Sequence, residues 1–318
     1  MEPLRLVLVG STGVTGTAIL RAARGIEVRA LVRSDTARLG DHPCTKVLGA
    51  LPDVPPTLFP DAPHVLLHFA GATSDRTLYS AVNVEGTRAL MEALSPSCLG
   101  VIYGSSLSVV GSGAQRRVDE DEAVAPDTEL ARSRAQAERI VLEGAAKRGI
   151  SAFVLRPRFL LGDGDQTTLP AMLRFARWGV SIGPGTQEFS VIDLDDYAAI
   201  VVALARRIVE RAELGEPVQT PLHVGYAQPI SFDAIHTALA EVFLLPARKL
   251  RIPVPPRLTR ALVRVPVVSD VATKLALVGL DHHADVSRLS SEIGDAIVAR
   301  DPRHVVARVA RSLPRGLS

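Results

Sequence analysis

Apolar positions in the first half of the chain fall into short blocks separated by polar, amphipathic stretches. Strand-like runs lie at Leu4–Val9, Glu27–Val32, Lys46–Leu48, His64–Phe69, Leu99–Ile102 and Ala152–Leu155. Between them the apolar residues recur with helical spacing over Val14–Arg24, Thr77–Leu94 and Glu129–Arg148. In the last of these, Ala131, Ala135, Ile140 and Leu142 are mixed with charges, which predicts a surface helix packed by one face. Strands alternating with helices of this length predict an α/β fold with a parallel sheet covered on both faces. Right-handed crossovers then give a doubly wound Rossmann sheet, with its ligand crevice at the carboxyl ends of the strands.

After Arg156-Pro157 the alternation weakens. Gly162-Asp-Gly164, Gly183-Pro-Gly185 and Pro253-Val-Pro-Pro256 mark turns and loops, while Asp196–Val209 reads as one more helix and Leu222–Gly225 as one more strand. The expected organisation is a nucleotide-binding domain over 1–156 plus 193–225. A smaller, sequence-discontinuous substrate lobe takes 157–192 plus 226–318.

Composition narrows the class. The chain has 318 residues and a formal charge of +2, with its basic residues scattered among acids. That argues against a nucleic-acid partner. No apolar run approaches the roughly 18 residues of a membrane span, so no membrane partner is expected. Two cysteines, Cys44 and Cys98, are too few for a disulfide framework and fit a reducing, cytoplasmic compartment.

The strongest chemical signal follows the first strand. Gly10-Ser-Thr-Gly13-Val-Thr-Gly16 leads from Val9 into a helix. Gly10 permits the tight turn, Gly13 lets backbone approach a pyrophosphate, and Gly16 lets the helix pack on the sheet. Gly10, Thr12, Gly13, Val14 and Gly16 are the expected cradle, with the helix start presenting N–H groups to the anion. At the end of the second strand, where an acid would bind the ribose 2′-hydroxyl of NAD, stands Arg33. An arginine fork suits a 2′-phosphate, with Arg38 as a second contact, so NADPH is expected and NADH disfavoured. The alternative is a solvated arginine that happens to end a strand.

With these residues the chain resembles the extended short-chain dehydrogenase/reductase family, which includes nucleotide-sugar epimerases and dehydratases. The resemblance runs through His68-Phe-Ala-Gly71, Asn83-Val-Glu-Gly-Thr87, Ser105-Ser106, Arg156-Pro157, Val191–Ala198 with Asp195 and Asp196, and Ser287–Gly294. It implies cofactor contacts from Phe69, Ala70, Gly71, Ser105, Arg134 and Pro157. It also implies a Tyr-x-x-x-Lys pair, and here the sequence departs from the pattern. Leu130 stands at the tyrosine position and Arg134 at the lysine position. Four residues beyond Tyr79, Tyr103, Tyr197 and Tyr226 lie Asn83, Leu107, Val201 and Ile230, so no shifted pair exists. Leucine cannot transfer a proton; arginine stays protonated but can hydrogen-bond a ribose. Ser106 falls at the family's serine position and is the candidate catalytic residue, or else a serine that only finishes a strand.

Other candidates carry less. Asp281-His-His283 lacks the flanking ligands of a metal pattern, so no metal is expected. His68 reads as a packing residue, Asp163 and Asp165 as turn formers, and Asp195 and Asp196 as helix-start residues. Met172, Phe175 and Trp178 share a helical face that lines either an apolar pocket or the core. Arginine- and alanine-rich usage with only four lysines suggests a GC-rich genome of the type that makes aromatic polyketides, and by overall similarity and the missing pair the chain resembles an atypical ketoreductase of angucyclinone tailoring. The resemblance implies reduction of an aromatic polyketide ketone in antibiotic biosynthesis. A non-catalytic NADP(H) sensor and a nucleotide-sugar epimerase or dehydratase are the alternatives.

Overall fold

The computed structural model describes residues 3–35, 37, 39, 42–163, 168–245, 250–255 and 269–313. Two compact units divide the chain. The first comprises Met1–Val109, Glu129–Arg156 and Asp195–Leu222; the second comprises Val110–Thr128, Pro157–Leu194 and His223–Ser318.

The first unit is a Rossmann-like α/β structure. Its strands are β1 (Arg5–Val9), β2 (Glu27–Val32), β3 (Thr45–Leu48), β4 (His64–His68), β5 (Cys98–Gly104), β6 (Ser151–Pro157) and β7 (Gln219–Val224), in the order β7-β6-β5-β4-β1-β2-β3. Neighbours pair in parallel from β3 across to β6. The central strands are buried along their length, Leu6–Val9 in β1 and His64–His68 in β4. That is why they read as unbroken apolar runs instead of alternating ones. β3 closes one edge, with Val47 its only buried residue.

Helices α1 (Val14–Ala22), α2 (Gly86–Ala93), α3 (Glu129–Arg148) and α4 (Leu194–Leu214) flank the sheet. Leu90 and Met91 of α2 and Ala137, Val141 and Ala145 of α3 join Val7, Leu66, Val101 and Val154 in one core cluster. α3 occupies the range its pattern predicts.

The helix expected over 77–94 is subdivided. Arg76–Leu78 is a 3-10 turn, Tyr79–Glu85 a π-helix, and only Gly86–Ala93 is α-helical. Asn83, inside the wide turn, accepts from the Ala72 N–H at 2.7 Å and donates to the Ala72 carbonyl at 3.0 Å. These bonds tie the π-turn to the loop after β4, a contact that hydrophobic periodicity does not register.

The second unit contains a four-stranded sheet in the order Ile230–Ser231, Glu188–Phe189, His282–Ala284, Gln115–Val118. The segment 110–128, placed by sequence with the first domain, belongs to this unit because Gln115–Val118 pairs in parallel with His282–Ala284. Phe232–Phe243 starts at Ser231, whose hydroxyl accepts from the Ala234 N–H, and Pro302–Ser312 starts at Asp301, whose carboxylate accepts from the Arg303 N–H. Among the described residues, no helix is long and apolar enough to cross a membrane.

Candidate active site

Strand order reverses between β4 and β1, and a cleft opens at their carboxyl ends. Gly10, leaving β1, has φ +97°, in the left-handed region that favours glycine. A Cβ there would sit 2.5 Å from the Ala70 nitrogen, so the loop leaving β4 lies directly against the turn. A Cβ on Gly16 would sit 2.2 Å from the Gly10 carbonyl oxygen, which fixes α1 close to the strand end. Gly13 is the N-cap of α1 in extended conformation; no side chain caps it and no acid occupies the first turn. The helix start therefore offers unfilled N–H groups and its positive dipole end to an anion. Ser11, which sequence reasoning passed over, is buried and donates to the Leu31 carbonyl at 3.1 Å, tying the loop to β2.

The cleft encloses about 680 Å³ and is lined by Gly10, Thr12, Gly13, Arg33, Phe69, Ala70 and Gly71 of the expected set. The opposite wall comes from Gly49, Ala50 and Leu51 after β3, and from Leu78 and Val82. Those residues were not foreseen. Their only signal is position, at the end of an edge strand and on a helix interrupted by a π-turn. No carboxylate lines the cleft among the described residues. Arg33 is exposed there and makes no hydrogen bond or ion pair with a described residue. An uncapped helix start at the mouth of this cleft fits the pyrophosphate of a nicotinamide dinucleotide. Arg38 lies outside the described residues. Val14 is exposed as the first residue of α1, and Gly16 is buried beneath the loop; neither lines the cleft.

A second group of predicted residues collects where β5 ends and α3 begins. Ser105 is buried, and its hydroxyl donates to Glu138 of α3. Glu138 also holds Arg156 of β6 in a bidentate pair, Nη2 to Oε2 at 2.6 Å and Nε to Oε1 at 3.1 Å, with side chains 4% and 3% exposed. Ser106 is partly buried, and its Oγ accepts from the Ser108 N–H at 3.2 Å. Pro157 ends β6 and begins the second unit.

Leu130 lies one turn ahead of Arg134 on α3. The turn between them is pinned: Ser133 Oγ donates to the Leu130 carbonyl at 2.9 Å and accepts from Asn83 Nδ2 at 3.0 Å. Arg134 is half-buried and makes no hydrogen bond or ion pair with a described residue. Desolvation lowers its pKa from the usual arginine value, opposed by the phenols of Tyr103, Tyr79 and Tyr197 and by Glu138. Burial raises the pKa values of Tyr103 and Tyr197 far above the ordinary tyrosine range, so neither is poised to donate a proton. Tyr79 donates to the Thr73 carbonyl at 3.0 Å. The structure thus brings phenols near Arg134 from three different elements, a convergence that no local motif announces.

The remaining candidates resolve as structural groups. His68 packs against the Tyr103 ring, its Nε2 2.9 Å from Thr87 Oγ1, and burial lowers its pKa to about 4. His282 is fully buried, with Nε2 3.0 Å from the Ala276 carbonyl and Nδ1 3.1 Å from Arg158 Nη2. Desolvation and the Arg158 charge push its pKa well below the usual histidine value. Asp195 and Asp196 do sit in the first turn of α4, and Asp195 pairs with Arg21 at 2.7 Å. Asp163 lies 3.4 Å from Arg308; Asp165 is outside the described residues. Met172 is buried whereas Trp178 is 70% exposed, so the two do not share one apolar environment. The side chain of Phe175 lies outside the described set.

The family model for the NAD dependent epimerase/dehydratase family matches residues 6–215, and the chain belongs to that family. It is 33% identical over 186 residues to the 4-hydroxy-2-methyl-3-oxo-4-farnesyl-3,4-dihydroquinoline-1-oxide ketoreductase of Stigmatella aurantiaca, covering 54% of each chain. It is 28% identical over 221 residues to the 2-alkyl-3-oxoalkanoate reductase of Stenotrophomonas maltophilia (strain K279a), covering 61% of this chain and 63% of that one. The chain thus spans about half the length of such relatives. Among solved structures it matches a UDP-galactose 4-epimerase with a TM-score of 0.71 at 17% identity, covering 97% of this chain and 98% of that one. It matches a short-chain dehydrogenase/reductase superfamily protein from Agrobacterium tumefaciens with bound NAD at a TM-score of 0.72 and 18% identity, covering 97% and 96%. At such identities the structural matches establish the fold.

Proposed function

We propose that this protein is an NADPH-dependent ketoreductase that acts on a polycyclic aromatic ketone of the angucyclinone type and works without a tyrosine acid. The observation that carries the reading is a cleft beside the glycine turn lined by Arg33, which has no hydrogen-bond or ion-pair partner among the described residues, in a chain with Leu130 where the resemblance implies a tyrosine. Two relatives named for reducing ketones support the reaction class. When bound, the cofactor supplies the hydride. The chain's own residues hold the dinucleotide, keep the carbonyl carbon about 3–3.5 Å from the hydride donor, and exclude water.

Hydride addition leaves an alkoxide that needs a proton or a strong hydrogen bond. Ser106 is an unassisted hydroxyl and a weak acid. A phenol beside the substrate carbonyl supplies the missing proton through its own internal hydrogen bond. Turnover of a hydroxylated tetracyclic ketone, its phenol methyl ether and the Ser106→Ala variant tests this division. Ser106→Ala retains substantial activity, while the methyl ether binds and turns over slowly. Normal turnover of the ether with an inactive Ser106→Ala would place the proton on the protein.

The absent tyrosine favours a second reading, a dinucleotide sensor. NADPH consumed in the presence of an aromatic ketone supports the enzyme; NADPH bound but not consumed across a panel of such ketones supports the sensor.

A further inference from the structure

Arg134 carries its charge with no hydrogen-bond or ion-pair partner among the described residues. It stands on a turn of α3 fixed from both sides by the Asn83–Ser133–Leu130 chain of hydrogen bonds, so its backbone is held in place. Its guanidinium makes neither a hydrogen bond nor an ion pair with a described residue, although Glu138, one turn further along the same helix, is fully engaged by Arg156 and Ser105. Near it stand the phenols of Tyr79, Tyr103 and Tyr197, which present dipoles, and the Glu138 carboxylate, whose favourable charge ranks below theirs and is already shared with Arg156. It is crowded yet keeps some accessible surface. A crowded cation with no hydrogen-bond or ion-pair partner among the described residues favours an anionic oxygen, because the ligand then replaces hydration that packing has removed.

The shape of the group narrows the ligand. A guanidinium presents paired N–H donors in a plane and matches two oxygens lying side by side. A ketone with a hydroxyl on a neighbouring or peri carbon offers such an edge, as a carboxylate does. The Stigmatella relative is named for a substrate with a 3-oxo group beside a 4-hydroxy group.

Building on the ketoreductase reading, we propose that Arg134 binds the substrate's two-oxygen edge, ketone and adjacent hydroxyl together, and holds the negative charge formed there during reduction. Hydride from NADPH adds to the carbonyl carbon, and the carbonyl π pair moves onto its oxygen. The adjacent hydroxyl proton passes to that oxygen, and NADP+ is left. The charge then rests on the hydroxyl oxygen, still within the fork, until water returns a proton. This is a different task from holding a neutral ribose, and it requires the planar fork as well as the charge.

The test uses the full chain with NADP+ bound. The probes are 1-hydroxyanthraquinone, 1-methoxyanthraquinone and benzoate, followed by absorbance or competition; dinucleotide affinity is measured separately by fluorescence. The wild-type protein prefers the hydroxyquinone to its methyl ether by about tenfold or more, the scale of one charge-assisted contact. Arg134→Met abolishes the preference and the binding of benzoate, leaving NADP+ affinity within about threefold. Arg134→Lys, which keeps the charge and safeguards the fold, retains NADP+ but loses most of the preference.

A preference that survives in both variants, or a loss confined to NADP+ affinity, overturns the proposal and leaves Arg134 a cofactor ligand. Arg134-dependent binding of benzoate in a protein that reduces no ketone supports the anion site and overturns the ketoreductase reading instead. Ketone reduction that is indifferent to Arg134 does the reverse.

Discussion

Under the proposed function, Arg33 and Leu130 divide binding from chemistry at single positions. Arg33 faces the cleft from the end of β2 with no partner among the described residues, so replacing it strands no described charge. Arg33→Ala weakens NADPH binding by about 1.5–3 kcal/mol, the worth of one hydrogen bond to a charged group, and Arg33→Asp weakens it further. NADH affinity measured in parallel changes little; equal losses for both dinucleotides would remove Arg33 from the 2′-phosphate. At Leu130 the expectation runs the other way. Restoring Tyr at 130 and Lys at 134 yields no increase in turnover, because the new phenol lands in surroundings built for leucine and the guanidinium fork is lost. A large gain in turnover number would mean that the ordinary mechanism had merely decayed.

Among the elements, α3 carries the most. One helix presents Leu130, Ser133, Arg134 and Glu138, and its buried pair with Arg156 anchors it to β6. The pair is dry, so removing one partner strands the other. Glu138→Gln destabilises the fold by about 3–5 kcal/mol in urea denaturation, and Glu138→Gln with Arg156→Met recovers part of that loss. A single-variant cost under about 1 kcal/mol would mean that the pair does not hold the two elements together. What was legible in advance follows the same scale. β1, its glycine turn and α3 were readable because continuous burial and helical spacing leave a local trace. The π-turn at Tyr79–Glu85 was not, because a single wide turn leaves the apolar spacing of a helix almost unchanged, and the Asn83 side chain's bonds to Ala72 leave no trace in that spacing. The four-stranded sheet of the second unit was missed because its strands are short and their partners, such as Gln115 and His282, lie far apart in sequence. The phenols facing Arg134 come from three separate elements for the same reason.

At the scale of the whole molecule, the fold hides neutral histidines, and this links its stability to pH. His68 is sealed between Tyr103 and Thr87, and burial lowers its pKa to about 4. His282 lies well below its usual value, and His64 is lowered by desolvation more than its bond to the Ala62 carbonyl raises it. The unfolded chain takes up a proton at each site near pH 6.5, whereas the folded chain refuses it until lower pH. Between those values the unfolded state binds more protons, so stability is fully present above about pH 7 and declines as the pH falls. Glu120 opposes this trend: its burial raises its carboxyl pKa, so protonation costs the fold less there. It is one group, whereas four histidines, His42 among them, are lowered, so the histidines prevail through the mildly acidic window. From His68 alone the loss between pH 7.5 and pH 5 is about 2 kcal/mol, at roughly 1.4 kcal/mol per unit of displaced pKa. Urea denaturation at the two pH values measures the difference. In His68→Gln, whose amide can still reach Thr87, the fall with acidity is shallower by about that amount. A slope unchanged by the substitution would show that His68 titrates alike in the folded and unfolded chains and that the acid sensitivity resides elsewhere.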